Sequence, residues 1–129
     1  MRTKALTSRQ LAQQAAKFAD DKKAQDVMIL DMRGLVNFCD YFVIGTGTSG
    51  RHVKSIAEGI NEGLAKLGTK AHPARNLKGF GTSQDPAEGA WVLLDMGDVV
   101  VHVFEPQTRE FYGLEHLWQD APKVKFTKS

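Results

Sequence analysis

Cysteine is nearly missing from this chain. Cys39 stands alone among 129 residues, so no internal disulfide can form. A reducing compartment suits such a protein, and a cytoplasmic location is expected. A lone thiol of this kind reads as a small buried hydrophobe rather than a nucleophile. Long apolar runs are missing too: nothing approaches the ~20 residues of a membrane span. The start, MRTKALTSRQ, lacks the hydrophobic region of a signal peptide. An excess of one charge is also lacking. Seventeen basic and fifteen acidic side chains leave a formal +2, too even to argue direct, sequence-specific nucleic-acid binding. His52, His72, His102 and His116 fall at no metal-ligand spacing, so neither a metal nor a cofactor is expected.

What remains is ordinary globular material, 42% hydrophobic and 25% charged, long enough for one domain with a genuine core. Thr7 and Gln10 form a capping box with Leu6 and Leu11 at the staple positions. Leu11, Ala15, Phe18 and Ala19 then make one stripe, predicting a helix from about Ser8 to Lys22. Val27 to Asp31 reads as a buried strand, 34–40 as a connection, and Tyr41 to Thr46 as a second strand. The turn GTGTSG leads into a helix with Ser49 at its N-cap, an inner stripe of Val53, Ile56, Ile60, Leu64 and Leu67, and Gly68 at C′. A third strand is expected over Lys70 to Arg75, with Pro73 pointing to an edge. Residues 76–90 read as a surface loop or an extension of that strand.

The most informative stretch is 91–118. The runs WVLLDM and VVVHVF flank Gly97-Asp98, which reads as a hairpin with a tight turn, Gly97 taking the positive φ. A two-residue turn pairs Met96 with Val99, Leu94 with Val101 and Val92 with Val103, a wholly apolar face meant for the core. The other face pairs Trp91 with Phe104, Leu93 with His102 and Asp95 with Val100. It is aromatic and polar together, so either the C-terminal segment or a partner must cover it. His102 lies diagonal to Asp95, within reach of a charge-assisted hydrogen bond. A structural pair outweighs an acid–base dyad there, because no nucleophile accompanies it. Pro106 opens a helical segment in which Phe111, Leu114 and Trp118 recur at helical spacing, broken at Gly113. After Trp118 the chain reads as a basic, flexible tail, so residues 1–118 are taken as the domain and 119–129 as its tail. The fold class is α/β, with a mixed central sheet of four to five strands and flanking helices.

The run DMGDVVVHVFEPQTREFYGLEHLW, together with TGTSGRHV at 46–53 and DYFVI at 40–44, resembles the iojap family of ribosomal silencing factors. That resemblance implies a nucleotidyltransferase-like arrangement, a homodimer when free, and no catalysis. It further implies binding to the large ribosomal subunit through its fourteenth protein. Docking there would sterically block joining of the small subunit and repress translation when nutrients are limiting. By the same resemblance the partner-binding residues are Trp91, Asp95, Met96, Asp98, His102, Arg109, Tyr112 and Leu114. Gly97, Gly45 and Gly47 are the turn-makers. Met96 departs from the aromatic or other aliphatic residue common in the family, and Gly50 from a serine.

The rival reading is a nucleotide-binding enzyme or regulator built on GTGTSGR, since a Gly-rich strand-to-helix turn can aim N–H groups at a phosphate. The run matches neither GxxxxGK[ST] nor GxGxxG. The residues after it, RHVKSIAEGINEG, also lack the D-x-D pair that nucleotidyl transfer needs for metal ions. A sharp turn with close helix–sheet packing is the stronger reading.

Overall fold

The hairpin register fixes where the sheet sits. In the computed structural model, which describes residues 6–68 and 91–126, strands β3 (Trp91–Asp95) and β4 (Val99–Phe104) pair antiparallel. Trp91 is opposite Phe104, Leu93 opposite His102 and Asp95 opposite Val100. The turn is closed by the Met96 N–H donating to the Val99 carbonyl at 2.9 Å. Gly97 has φ +88°, a conformation that side chains resist.

The remaining elements are α1 (Ser8–Asp21), β1 (Gln25–Asp31), β2 (Tyr41–Thr46), α2 (Gly50–Lys66), α3 (Pro106–Tyr112), α4 (Leu114–Leu117) and β5 (Lys123–Val124). The sheet runs β3-β4-β2-β1-β5, antiparallel throughout except for the parallel β2–β4 pair at its centre. Every residue of β2 and β4 is buried, as expected of central strands covered on both faces. Successive side chains alternate between two cores. Tyr41, Val43, Val92, Leu94, Val99, Val101 and Val103 meet α1 and α2. Phe42, Ile44, Val100 and Phe104 meet Met32, Cys39 and Ala121 on the opposite face. The mixed α/β sheet read from the sequence is the one observed.

Local signals place both long helices. At α1 the Gln10 N–H donates to Thr7 Oγ1 at 3.1 Å and the Thr7 N–H to Gln10 Oε1 at 3.0 Å, the reciprocal cap that the pattern predicts. At α2 the Ser49 hydroxyl accepts from the His52 N–H at 3.2 Å. Val53, Ile56, Ile60 and Leu64 are buried, while Leu67 lies exposed at the C-cap.

The C-terminal segment differs from the expected flexible tail. Ala121 is buried, and the Asp31 N–H donates to the Pro122 carbonyl at 2.8 Å. Lys123 and Val124 pair with Leu30 and Ile29 as β5. Gln13 Nε2 donates to the Lys125 carbonyl at 3.0 Å, and Val124 and Phe126 pack on the core beneath α1. The lysines between them disguise an edge strand as a basic tail, although lysine on an edge is a common guard against further pairing. The third strand expected over Lys70 to Arg75 and the loop over 76–90 lie outside the described residues.

One packing device was not read from the sequence. Gly59 and Gly63, four apart on α2, let α1 approach closely. A Cβ at Gly63 would lie 2.7 Å from three ring carbons of Phe18, and one at Gly59 would lie 2.6 Å from the Lys22 side chain. The Phe18 ring is wedged against the core, whereas Lys22 is exposed and can swing away. Gly63→Ala should therefore lower stability by about 1–2 kcal/mol despite its gain in helix propensity. Gly59→Ala should be neutral or stabilising. Urea denaturation of the two variants checks this, and a stabilised Gly63→Ala protein would contradict the close approach.

Candidate partner-binding face and the Gly-rich turn

The hairpin tip is anchored from both sides. Asp95 Oδ1 accepts from the Gly97 N–H at 2.9 Å, a local cap on the turn. The Asp98 carbonyl accepts from the N–H groups of Asp40 at 2.6 Å and Tyr41 at 3.2 Å. The Asp95 side chain is half-buried and that of Asp98 is exposed, so both carboxylates stand near one end of the second sheet face. Cys39 lies within their field and that of Asp40. Burial first, then these carboxylates, push its thiol up to about 11. It is a buried structural residue with no thiolate character at neutral pH.

Along that face the rings form a stack. Trp91 lies over Phe104, with centroids 5.4 Å apart, and over His102 at 6.0 Å; His102 lies nearly parallel to Phe104 at 5.9 Å. Phe42 meets the imidazole edge-on at 4.7 Å. His102 is buried, and neither ring nitrogen has a hydrogen-bond partner. The Asp95–His102 hydrogen bond expected from the register is therefore not made. The diagonal neighbour is in place, but its carboxylate oxygen serves the Gly97 N–H. Burial pushes the imidazole down to about 3, which keeps it neutral. A buried polar group without a partner costs about 1–3 kcal/mol.

Among the described residues, the cover over this stack is incomplete. Trp118 approaches Phe42 edge-on at 6.4 Å, and Phe38 tilts against the same ring at 6.3 Å. Trp118, Trp91 and Leu93 are only partly buried. Phe38 is 61% exposed, with Leu35 beside it on the β1–β2 connection, and Leu117 on α4 is exposed as well. Sequence reading left Phe38 in a connection. The signal available was the apolar LVNF run at 35–38, which a solvated loop does not need.

Other residues singled out by the sequence hold the framework. Met96 is buried on the helix-covered face, where the register puts it. Arg109 is buried, and its Nη1 donates to Thr46 Oγ1 at 2.6 Å, tying α3 to the end of β2. Pro106 sits in the first turn of α3, and Gly113 ends it in the left-handed conformation at φ 56°. Tyr112 closes α3 and Leu114 opens α4. Thus Trp91, Asp95 and Asp98 offer surface, whereas Met96, His102 and Arg109 are buried inside the chain itself.

The Gly-rich turn is occupied by its own hydrogen bonds. The Gly47 N–H donates to the Phe104 carbonyl at 2.8 Å, and the Thr48 N–H donates to His52 Nδ1 at 2.8 Å. The ring proton of His52 is thereby placed on Nε2, which donates to the Lys22 carbonyl at 2.8 Å. The His52 N–H is already taken by the Ser49 cap. A Cβ at Gly47 would lie 2.8 Å from the Val53 nitrogen, whereas one at Gly45 would meet Ala24 at an ordinary 3.5 Å. Gly45 lies within β2 rather than in the turn, Gly47 serves the close helix–strand approach, and the Gly47, Thr48 and His52 amides already have partners. Among the described residues, no three His, Cys, Asp or Glu side chains are grouped to hold a metal ion, and no helix is long and apolar enough to cross a membrane.

The buried imidazole gives the protein a definite pH response. An unfolded histidine titrates near 6.5 and this one near 3, so in between the unfolded chain takes up a proton that the folded chain refuses. Stability falls as pH drops through that window, by about 3 kcal/mol at pH 4.5. His102→Phe should remove this component, so wild-type and variant denaturation curves should diverge steadily between pH 7 and 4.5. Parallel curves would show that His102 does not remain neutral.

Comparison with known proteins agrees with this geometry. The family model described as "Ribosomal silencing factor during starvation" matches residues 5–129. The chain is 43% identical over 108 residues to the ribosomal silencing factor RsfS of Bacillus subtilis, covering 84% of each. It is 31% identical over 97 residues to the mouse protein named mitochondrial assembly of ribosomal large subunit protein 1, covering 75% of this chain and 40% of that one. A crystal structure of a Chromobacterium violaceum protein superimposes with a TM-score of 0.73 at 31% identity, over 95% of this chain and 93% of that one. A Bacillus halodurans crystal structure gives 0.69 at 36% identity, over 90% and 97%. With the family model spanning nearly the whole sequence and its motifs seated on this hairpin and turn, the chain belongs to the ribosomal silencing factor RsfS family, to which the iojap proteins are related.

Proposed function

We propose that this cytoplasmic protein docks its second sheet face on the large ribosomal subunit, through that subunit's fourteenth protein, and blocks small-subunit joining by occupying the space. The reading is supported chiefly by one observation. Phe38 stands exposed against Phe42, on the face that also carries the partly covered Trp91, Leu93 and Trp118, with Asp95 and Asp98 near the end of the same face. Aromatic anchors near the centre and charged groups at the rim are the arrangement from which tight protein contacts derive their energy and orientation. Silencing of this kind requires surface complementarity and no turnover. It needs no cofactor, and the partners already held by the Gly47 and Thr48 amides favour it over a nucleotide-driven mechanism. In the free state we propose a homodimer, for which the exposed Phe38 and Leu117 supply apolar surface.

Phe38→Ala should leave the melting temperature nearly unchanged, because the ring is mostly solvated, yet weaken cosedimentation with isolated large subunits at least about tenfold. Trp91→Ala should cost about 2 kcal/mol of binding or more. Excess small subunits should compete with the wild-type protein. Two folded variants that bind like wild type would overturn the docking face.

A further inference from the structure

His102 is a group on the second face whose polar atoms the fold of the described residues leaves unsatisfied. Its surroundings are rings: Phe42 at its edge, with Trp91 and Phe104 stacked alongside. A phenylalanine would fill the same space without leaving two nitrogens unpartnered. Satisfying buried polar atoms is so general in folded chains that an exception calls for a use outside the free structure. Of its flanking rings, Phe104 is fully buried on the central strand β4, whereas Trp91 is half-buried on β3, the outermost strand on that side of the described sheet. Trp91 is therefore the plate that can move.

We infer that His102 is a hydrogen-bonding residue of the docking face, held in reserve beneath Trp91. On docking, the Trp91 ring shifts and the partner protein presents an uncharged hydroxyl or amide to the imidazole. An uncharged group is required because the imidazole sits neutral among apolar rings, where a second unpaired charge would be strongly disfavoured. The free protein thus carries a local instability that binding relieves, a trade common where a site must be completed by its ligand. This inference rests on the docking reading above, and its test separates the two.

Melting temperature and cosedimentation with isolated large subunits are measured for His102→Phe, His102→Gln and Phe38→Ala. His102→Phe should melt higher by at least about 3 °C and bind at least about tenfold more weakly. His102→Gln retains a donor and an acceptor; it should melt no higher than wild type and bind within about threefold of it. A merely structural histidine would not yield a more stable variant that binds less well. If His102→Phe binds like wild type while Phe38→Ala loses binding, the reserve role of His102 fails and the docking face stands. If both bind like wild type, both fail. A second measurement leaves residue 102 untouched. In a Trp118→Phe background, the emission of Trp91 should change on saturation with large subunits, and unchanged emission would overturn the displacement of its ring.

Discussion

A turn of two residues governs this molecule. Gly97 and Asp98 leave no slack between β3 and β4, so the parity of each strand position is set at the tip. Because a slip of one residue would send every side chain to the opposite face, the turn decides that Val92, Leu94 and Met96 go beneath the helices. It equally decides that Trp91, Leu93 and Asp95 go to the other side. The same tip is bonded through the Asp98 carbonyl to Asp40 and Tyr41. This bond helps register β4 against its parallel neighbour β2 and carries the hairpin's order into the middle of the sheet.

The two faces that result differ in kind. Beneath α1 and α2 the packing is that of an ordinary apolar core, with Gly59 and Gly63 bringing the helices into close approach. On the far side, short segments stand in for a helical layer. Residues 32–39 and the chain around Trp118 and Ala121 cover the rings, leaving Phe38 projecting and the imidazole of His102 buried without a bond. Among the described residues this layer is thinner than the one the helices form on the other side.

What the sequence revealed was what neighbours in sequence decide. Thr7 and Gln10, three apart, cap α1; the stripe from Val53 to Leu64 buries α2; Gly97 sets the hairpin register. These are local geometric problems with few solutions. Three features were misread or missed, each because its partner is distant in sequence or because rival partners compete. Lys123 and Val124 look like solvated tail until β1, some ninety positions earlier, is known to offer its edge. Asp95 faces two candidates, the Gly97 N–H and His102, and spacing alone does not rank them; the nearer amide wins. Phe38 sits in a connection whose exposure depends on the fold around it. The residues that the family resemblance marks were legible as a set, but their division between surface and interior was not: Arg109 looks like a contact until Thr46 is seen beside its guanidinium.

The pairing of β5 with β1 has a consequence for synthesis. Leu30 and Lys123 are partners some ninety positions apart. During synthesis the outer edge of β1 therefore waits for its neighbour until the chain has grown through Val124, and that margin of the sheet is ordered late.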